Sequence, residues 1–192
     1  MCNCLTIGFP DTYTSHAMTT DMFLRYVLPG SRVPMPHTDL WPSGYIKVHK
    51  IPEKVTTFLF STFNEVYHTN YMFEDGCRIA IGPHPETAKL KHIAKEISKL
   101  SIQDFCDEVQ KVGNKVDLIW PGCKKILVWY DTRRADKKTQ AMFIKYNEAI
   151  IKTVNWPVAQ MVDTTCKKEN WMHFDDMARF KLFDKIVEIE KT

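Results

Sequence analysis

The chain has 192 residues, 44% hydrophobic and 26% charged, which suits one packed domain and argues against disorder. Its formal net charge of +3 is too small to point to nucleic acid on its own. No apolar run approaches the ~18 residues of a membrane span, and Met1-Cys2-Asn3-Cys4 leads straight into Leu5 without the basic and apolar regions of a secretory signal.

In chain order, Cys4 to Phe9 is a short run rich in strand formers that Pro10-Asp11 stops. A polar turn, Thr12 to Ser15, leads into a helix predicted over residues 16–28. Ala17, Phe23, Leu24 and Val27 give it an apolar face, Ser15 or Thr14 can cap it, and Pro29-Gly30 ends it. In an open α/β sheet such a turn lies at the carboxyl end of a strand, where ligands bind. Residues 31–44 carry three prolines and end in Ser43-Gly44, so they read as a loop; Tyr45 to His49 alternates as a strand. Thr56 to Ser61 is almost all apolar or β-branched and suits a strand buried on both faces. It runs into a polar cluster, Thr62-Phe63-Asn64-Glu65.

Residues 66–77 carry no clear pattern, and Arg78 to Gly82 reads as a short strand. Pro83 to Glu86 then opens a predicted helix in which Ala88, Ile93, Ala94, Ile97 and Leu100 recur at helical spacing. Ser101-Ile102-Gln103-Asp104 resembles a capping box for a second helix, expected to end before Gly113. Lys125 to Asp131 is the clearest buried strand and ends in an acid. A helix over residues 137–154, with Met142, Tyr146, Ala149 and Ile150 on one face, precedes a last strand over 157–162. The last helix, over 175–190, is expected to bury Met177, Phe180, Phe183, Ile186 and Val187. Strands alternating with helices argue for an α/β fold with a mostly parallel sheet, and without linker or repeat one domain spans residues 1–192.

The chemistry-bearing residues follow strand ends. Asp11-Thr12-Tyr13 comes after the first strand, Asn64 after the buried strand, and Asp131 with Arg133-Arg134 after the clearest one. Val162-Asp163 closes the last strand, and Asn170-Trp171-Met172-His173 stands just before the last helix. Histidine titrates near neutral pH and suits a general base, and a neutral amide such as that of Asn64 can face a developing oxyanion. The bland alternatives are a helix-capping Thr12, a turn Asn64, a half-buried His173 and a loop Gly44. Tyr67 to Phe73, which includes His68, can line a cleft beside Asn64 or cover a sheet edge.

Taken together, Asp11-Thr12-Tyr13, Gly44, Asn64 and His173 resemble, in order and spacing, the SGNH (GDSL-like) hydrolase family. The resemblance spans nearly the whole chain and implies a single three-layer α/β/α domain. It implies an esterase or deacylase with Thr12 as nucleophile, His173 as base, Asn64 and Gly44 at the oxyanion, and Asn170 beside the histidine. Asp11, Tyr13, His68 and Arg133 are the expected substrate contacts. No cofactor or metal is implied; the substrate class is a small-molecule or glycan ester. The motifs depart from the family pattern. Pro10-Asp11-Thr12 stands where the family has Gly-Asp-Ser, and threonine's extra methyl crowds the attack path. Asn170 stands where it has an aspartate that supports the histidine, a change that lowered turnover by about 10⁴ in the serine-protease triad. Ser61-Thr62-Phe63-Asn64-Glu65 has a glutamate for the family's aspartate and lacks its glycine. Ser15 is the second candidate hydroxyl.

The alternative is a binding or scaffold protein on the same fold, catalytically lapsed, with a protein partner at a loop such as residues 33–43. A phosphate binder using Arg133 and Arg134 is a third reading without a glycine-rich loop to support it. Six cysteines at 2, 4, 77, 106, 123 and 166 include one C-x-C pair with no second pair to complete a zinc set. Reduced thiols in a cytoplasmic setting are the expectation, with neither a membrane nor a nucleic-acid partner.

Overall fold

Four consecutive side chains, Thr57 to Phe60, are all buried, and the only polar group among them is the Thr57 hydroxyl, which is why this segment becomes an inner strand of a parallel sheet. In a computed structural model of the protein, the described residues are 4–7, 19–27, 54–82, 91–130, 132, 135–161 and 176–192. Along them run β1 (Cys4–Ile7), α1 (Thr20–Met22, continuing as a π-helical segment Phe23–Val27), β2 (Thr57–Phe60), α2 (Phe63–Tyr67) and β3 (Thr69–Phe73). Then come β4 (Arg78–Ile81), β5 (Ala94–Ile97), α3 (Ile102–Ile119), β6 (Lys124–Tyr130), α4 (Lys137–Val154), β7 (Val158–Met161) and α5 (Asp176–Lys191).

Two sheets form. The larger is parallel throughout, in the order β1-β2-β6-β7, with Ile7 opposite Phe60, Phe60 opposite Leu127 and Tyr130 opposite Met161. The smaller is antiparallel, in the order β4-β3-β5, and is built from the stretch between α2 and α3. The protein is therefore α/β, with a separate antiparallel sheet that the sequence pattern does not announce. Phe58, Phe60, Ile126 and Leu127 of the parallel sheet, Phe105 of α3, and Phe143 and Ile150 of α4 are fully buried and form the centre of the core. Each such side chain stabilises the fold by roughly 1.5–3 kcal/mol.

Several expectations are corrected. The helix expected over 83–100 is not what the chain makes of its second half, because Ala94–Ile97 pairs antiparallel with β3 as β5. Ala94 packs against the core while Lys95 and Glu96 face water, charges that suit β5 as an edge strand among the described residues. The expected caps of the first helix give way to Thr19, extended at φ −97° and ψ 167°, whose hydroxyl accepts from Met22 N at 3.1 Å. The second helix does not end before Gly113 but passes through it to Ile119. A Cβ at Gly113 would stand 2.6 Å from Cζ2 of Trp156, so here the glycine serves close packing. In α5 the buried face is Ala178, Leu182 and Ile186, while Met177, Phe180 and Phe183 are more than half exposed.

The capping box expected at Ser101 forms. Ser101 caps α3, accepting from Asp104 N at 3.1 Å and donating to the Asp104 carboxylate at 2.6 Å. Asp136 caps α4 through Thr139, whose N–H and hydroxyl both donate to it and lower its pKa, and Asn155 closes that helix in the left-handed region at φ 51°. Cys77, Cys106 and Cys123 are buried free thiols.

Candidate functional site

Because the four long-range strands are parallel, their carboxyl ends lie along one edge of the sheet, where side chains from several loops can converge. β2 leaves that edge through Ser61 and Thr62 into α2, a single helical turn. Ser61 Oγ accepts from Phe63 N at 3.2 Å, and the Thr62 hydroxyl donates to Oδ1 of Asn147 on α4 at 2.9 Å. Asn147 sits in the buried face of α4 beside Phe143 and Ile150, and its Nδ2 has no hydrogen-bond partner among the described residues. The helical spacing of α4 holds no sign of a buried amide, since only the partner hydroxyl of Thr62, 85 positions away, accounts for it.

Two of the residues singled out in the sequence are described, and they are neighbours. Asn64 is fully buried within α2, and its carbonyl accepts from His68 N at 3.0 Å. His68 is 6% exposed. Its ring meets Phe63 edge-on at 5.7 Å and lies over Gly82, where a Cβ would come within 2.8 Å of it. Thr12, Gly44, Asn170 and His173, with Asp11, Tyr13 and Arg133, lie outside the described residues. So do the strand expected at 45–49, the helix opening at 83–86, the loop 33–43 and Asp163.

Sequence reasoning missed a second polar assembly beside the first. Glu65 follows Asn64 on α2 and joins a largely buried cluster with Thr20, Arg78 and Glu108. Thr20 N donates to Glu65 Oε2 at 2.8 Å, and Thr20 Oγ1 lies 3.1 Å from Glu65 Oε1 and 2.6 Å from Glu108 Oε2. Arg78 grips Glu108 with both terminal nitrogens, Nη1 at 2.9 Å from Oε1, but reaches Glu65 only at 3.4 Å. Burial pushes the Glu65 carboxyl up to about 7, outweighing the Thr20 hydrogen bond and the Arg78 charge. Burial also works against the Arg78 guanidinium, but its bond to Glu108 and the charges of Glu65, Glu108 and Asp21 raise its pKa.

A small cleft opens beside α2, lined by Glu65, Asn70, Lys99, Phe105 and Tyr146 among others, with room for about one water molecule. Lys99 Nζ donates to the His68 carbonyl at 2.7 Å, and Asn70 Nδ2 donates to the Glu65 carbonyl at 3.0 Å. Desolvation lowers the Lys99 ammonium to about 8 although Glu65 opposes it. The one signal for this assembly in the sequence is an acid set among Phe63, Val66 and Tyr67, in a stretch otherwise written for burial.

Among the described residues no group of three or more His, Cys, Asp or Glu side chains can hold a metal ion, and no helix is long and apolar enough to cross a membrane. No family model matches the chain, and no curated protein or solved structure matches it. Fold and site together define an α/β protein with a parallel sheet, a polar carboxyl edge at β2, and a buried carboxyl cluster on the helical turn that follows it.

Proposed function

We propose that the chain is a hydrolase of acyl esters, of SGNH type and three-layer α/β/α design, working at the carboxyl edge of its parallel sheet. The observation that carries this reading is the place of Asn64. It stands four positions after Phe60, the end of β2, and Phe60 is in register with Ile7, the end of β1. Thr12 follows Ile7 by five positions in sequence. The next strands, β6 and β7, run the same way, and Arg133 and His173 follow them in the chain. In this reading the Thr12 hydroxyl attacks the acyl carbon, and His173 takes its proton and returns it to the leaving alcohol. Asn64 and backbone N–H groups near Thr12 and Gly44 hold the oxyanion. The substrate is a small-molecule or glycan ester, and the setting is cytoplasmic.

A second reading, a lapsed member that binds a protein partner without turnover, is favoured by the complete burial of Asn64. A donor that faces no solvent meets a substrate only if its surroundings open. The test is hydrolysis of a short-chain nitrophenyl ester by the wild type, His173→Ala, and the double variant Thr12→Ser with Asn170→Asp. Activity in the wild type that disappears in His173→Ala supports the hydrolase. Silence in the wild type with activity in the double variant supports the lapsed reading, and silence in all three counts against both.

A further inference from the structure

The hydroxyl of Thr20 has one hydrogen, yet its oxygen lies within hydrogen-bond reach of two carboxyl groups, Glu65 at 3.1 Å and Glu108 at 2.6 Å. One hydrogen cannot serve both contacts equally. The closer contact and the two-pronged grip of Arg78 mark Glu108 as the ionised partner, with Thr20 donating to it. The Glu65–Thr20 contact is then satisfied only if Glu65 supplies the hydrogen. We propose that Glu65 is a buried proton-binding site, donating as a carboxylic acid to the Thr20 hydroxyl, and that loss of this proton unlatches the first turn of α1.

The charge around the cluster agrees. With Glu65 neutral, Glu108 and Arg78 balance; with Glu65 ionised, two adjacent carboxylates share one guanidinium in a largely buried place. Among the described residues the other charged groups facing it are Asp21 on α1, which accepts from Arg78 N at 2.9 Å and pairs with Arg25, and Lys99 after β5. Lys99 spends its hydrogen bonds on the His68 and Glu65 carbonyls rather than on the Glu65 carboxyl. Glu65 Oε2, meanwhile, accepts from Thr20 N at 2.8 Å, as the carbonyl oxygen of an acid does.

The same contacts form a latch. Among the described residues, five contacts tie the start of α1 to the rest: Thr20 N and Thr20 Oγ1 to Glu65, Thr20 Oγ1 to Glu108, Thr19 Oγ1 to the Arg78 carbonyl at 2.8 Å, and Arg78 N to Asp21. A raised Glu65 pKa means that closing is fully favoured below the free carboxyl's value of 4.5 and weakens as pH rises to about 7, levelling off above it. The proposal does not depend on the hydrolase reading.

The test uses the full chain with ¹³C-carboxyl glutamate, titrated by NMR, with Glu65→Gln to assign the signal. Glutamine can donate to Thr20 Oγ1 and accept from Thr20 N as the acid does, so the variant keeps the fold. A carboxyl titrating about two pH units above the exposed glutamates, and missing from Glu65→Gln, is expected. A late-titrating carboxyl that survives in Glu65→Gln, or none in the wild type, overturns the proton site. Amide exchange over residues 19–27, corrected for intrinsic rates, reads the latch: protection falls roughly fortyfold between pH 5 and pH 7 in the wild type and stays level in Glu65→Gln. Equal profiles in the two proteins overturn the latch.

Discussion

Replacing Gly113 with alanine tests the packing of the core against the intrinsic preference of its helix. Gly113 lies in the middle of α3, where alanine is favoured over glycine by about 0.5–1 kcal/mol. Against that gain, the new Cβ would meet Trp156 Cζ2 at 2.6 Å, with two further ring carbons at 3.5 Å. The indole has little room to yield. It is 8% exposed and stands edge-on to both Phe58 and Phe60, with centroids at 6.2 and 6.3 Å. Forcing an extra carbon into such a core costs about 1–3 kcal/mol. The clash therefore wins, and Gly113→Ala is expected to lose about 1–2 kcal/mol net, lowering Tm by about 2–8 °C for a chain of this size. Urea unfolding followed by far-ultraviolet circular dichroism measures it. In a Trp156→Leu background the same substitution should be neutral or stabilising, because the opposing ring is gone. A Gly113→Ala protein more stable than wild type with Trp156 in place would refute the reasoning.

The two faces of α5 should respond oppositely to truncation: Ile186→Ala is expected to cost about 2–5 kcal/mol, and Phe180→Ser to stay within about 0.5 kcal/mol of wild type. Comparable losses at both positions in denaturant melts would mean that the exposed stripe is covered in solution. Stability should also pass through a minimum near pH 7–8. Below it, Glu65, with a folded pKa raised from 4.5 to about 7, withdraws on the order of 3 kcal/mol as pH climbs through that window. Above it, Lys99, depressed from 10.5 to about 8, stops being penalised for its charge, so stability rises again toward pH 10.5. A flat curve from pH 5 to pH 10 in isothermal denaturant titrations would contradict both assignments.

What could be read from residue order alone followed from how many interpretations each pattern allowed. β2 and β6 are apolar over too short a span to be anything but inner strands, and α4 shows its apolar stripe over the expected residues 137–154. Ala94-Lys95-Glu96-Ile97 fits a helix turn and an edge strand equally, and only the open edge of β3 decides between them. In α5 two apolar stripes compete at the same spacing, and the larger aromatic side chains belong to the one left in water. Size is a poor guide when a strand with small side chains, such as Ala159 of β7, must be met closely. At the site, Asn64 stands out because it follows a strand end. The carboxyl cluster does not, because Thr20 and Glu65 are 45 positions apart and Arg78 and Glu108 are 30 apart, each unremarkable in its own surroundings.

The antiparallel sheet sits inside the connection between two neighbouring strands of the parallel one. Thr57 must find Lys124, 67 positions further on, before β2 gains its second neighbour, whereas β3 and β4 meet across the tight turn at Gly76. Closing the long loop is an entropic burden that the hairpin does not carry, so the hairpin is expected to form early and the parallel pairing late. Until β6 arrives, Phe58 and Phe60 and one hydrogen-bonding edge of β2 are open to any other chain in the vicinity. During refolding, then, protein concentration rather than temperature should set the yield, and a chain interrupted before residue 124 would be held in its most adhesive form.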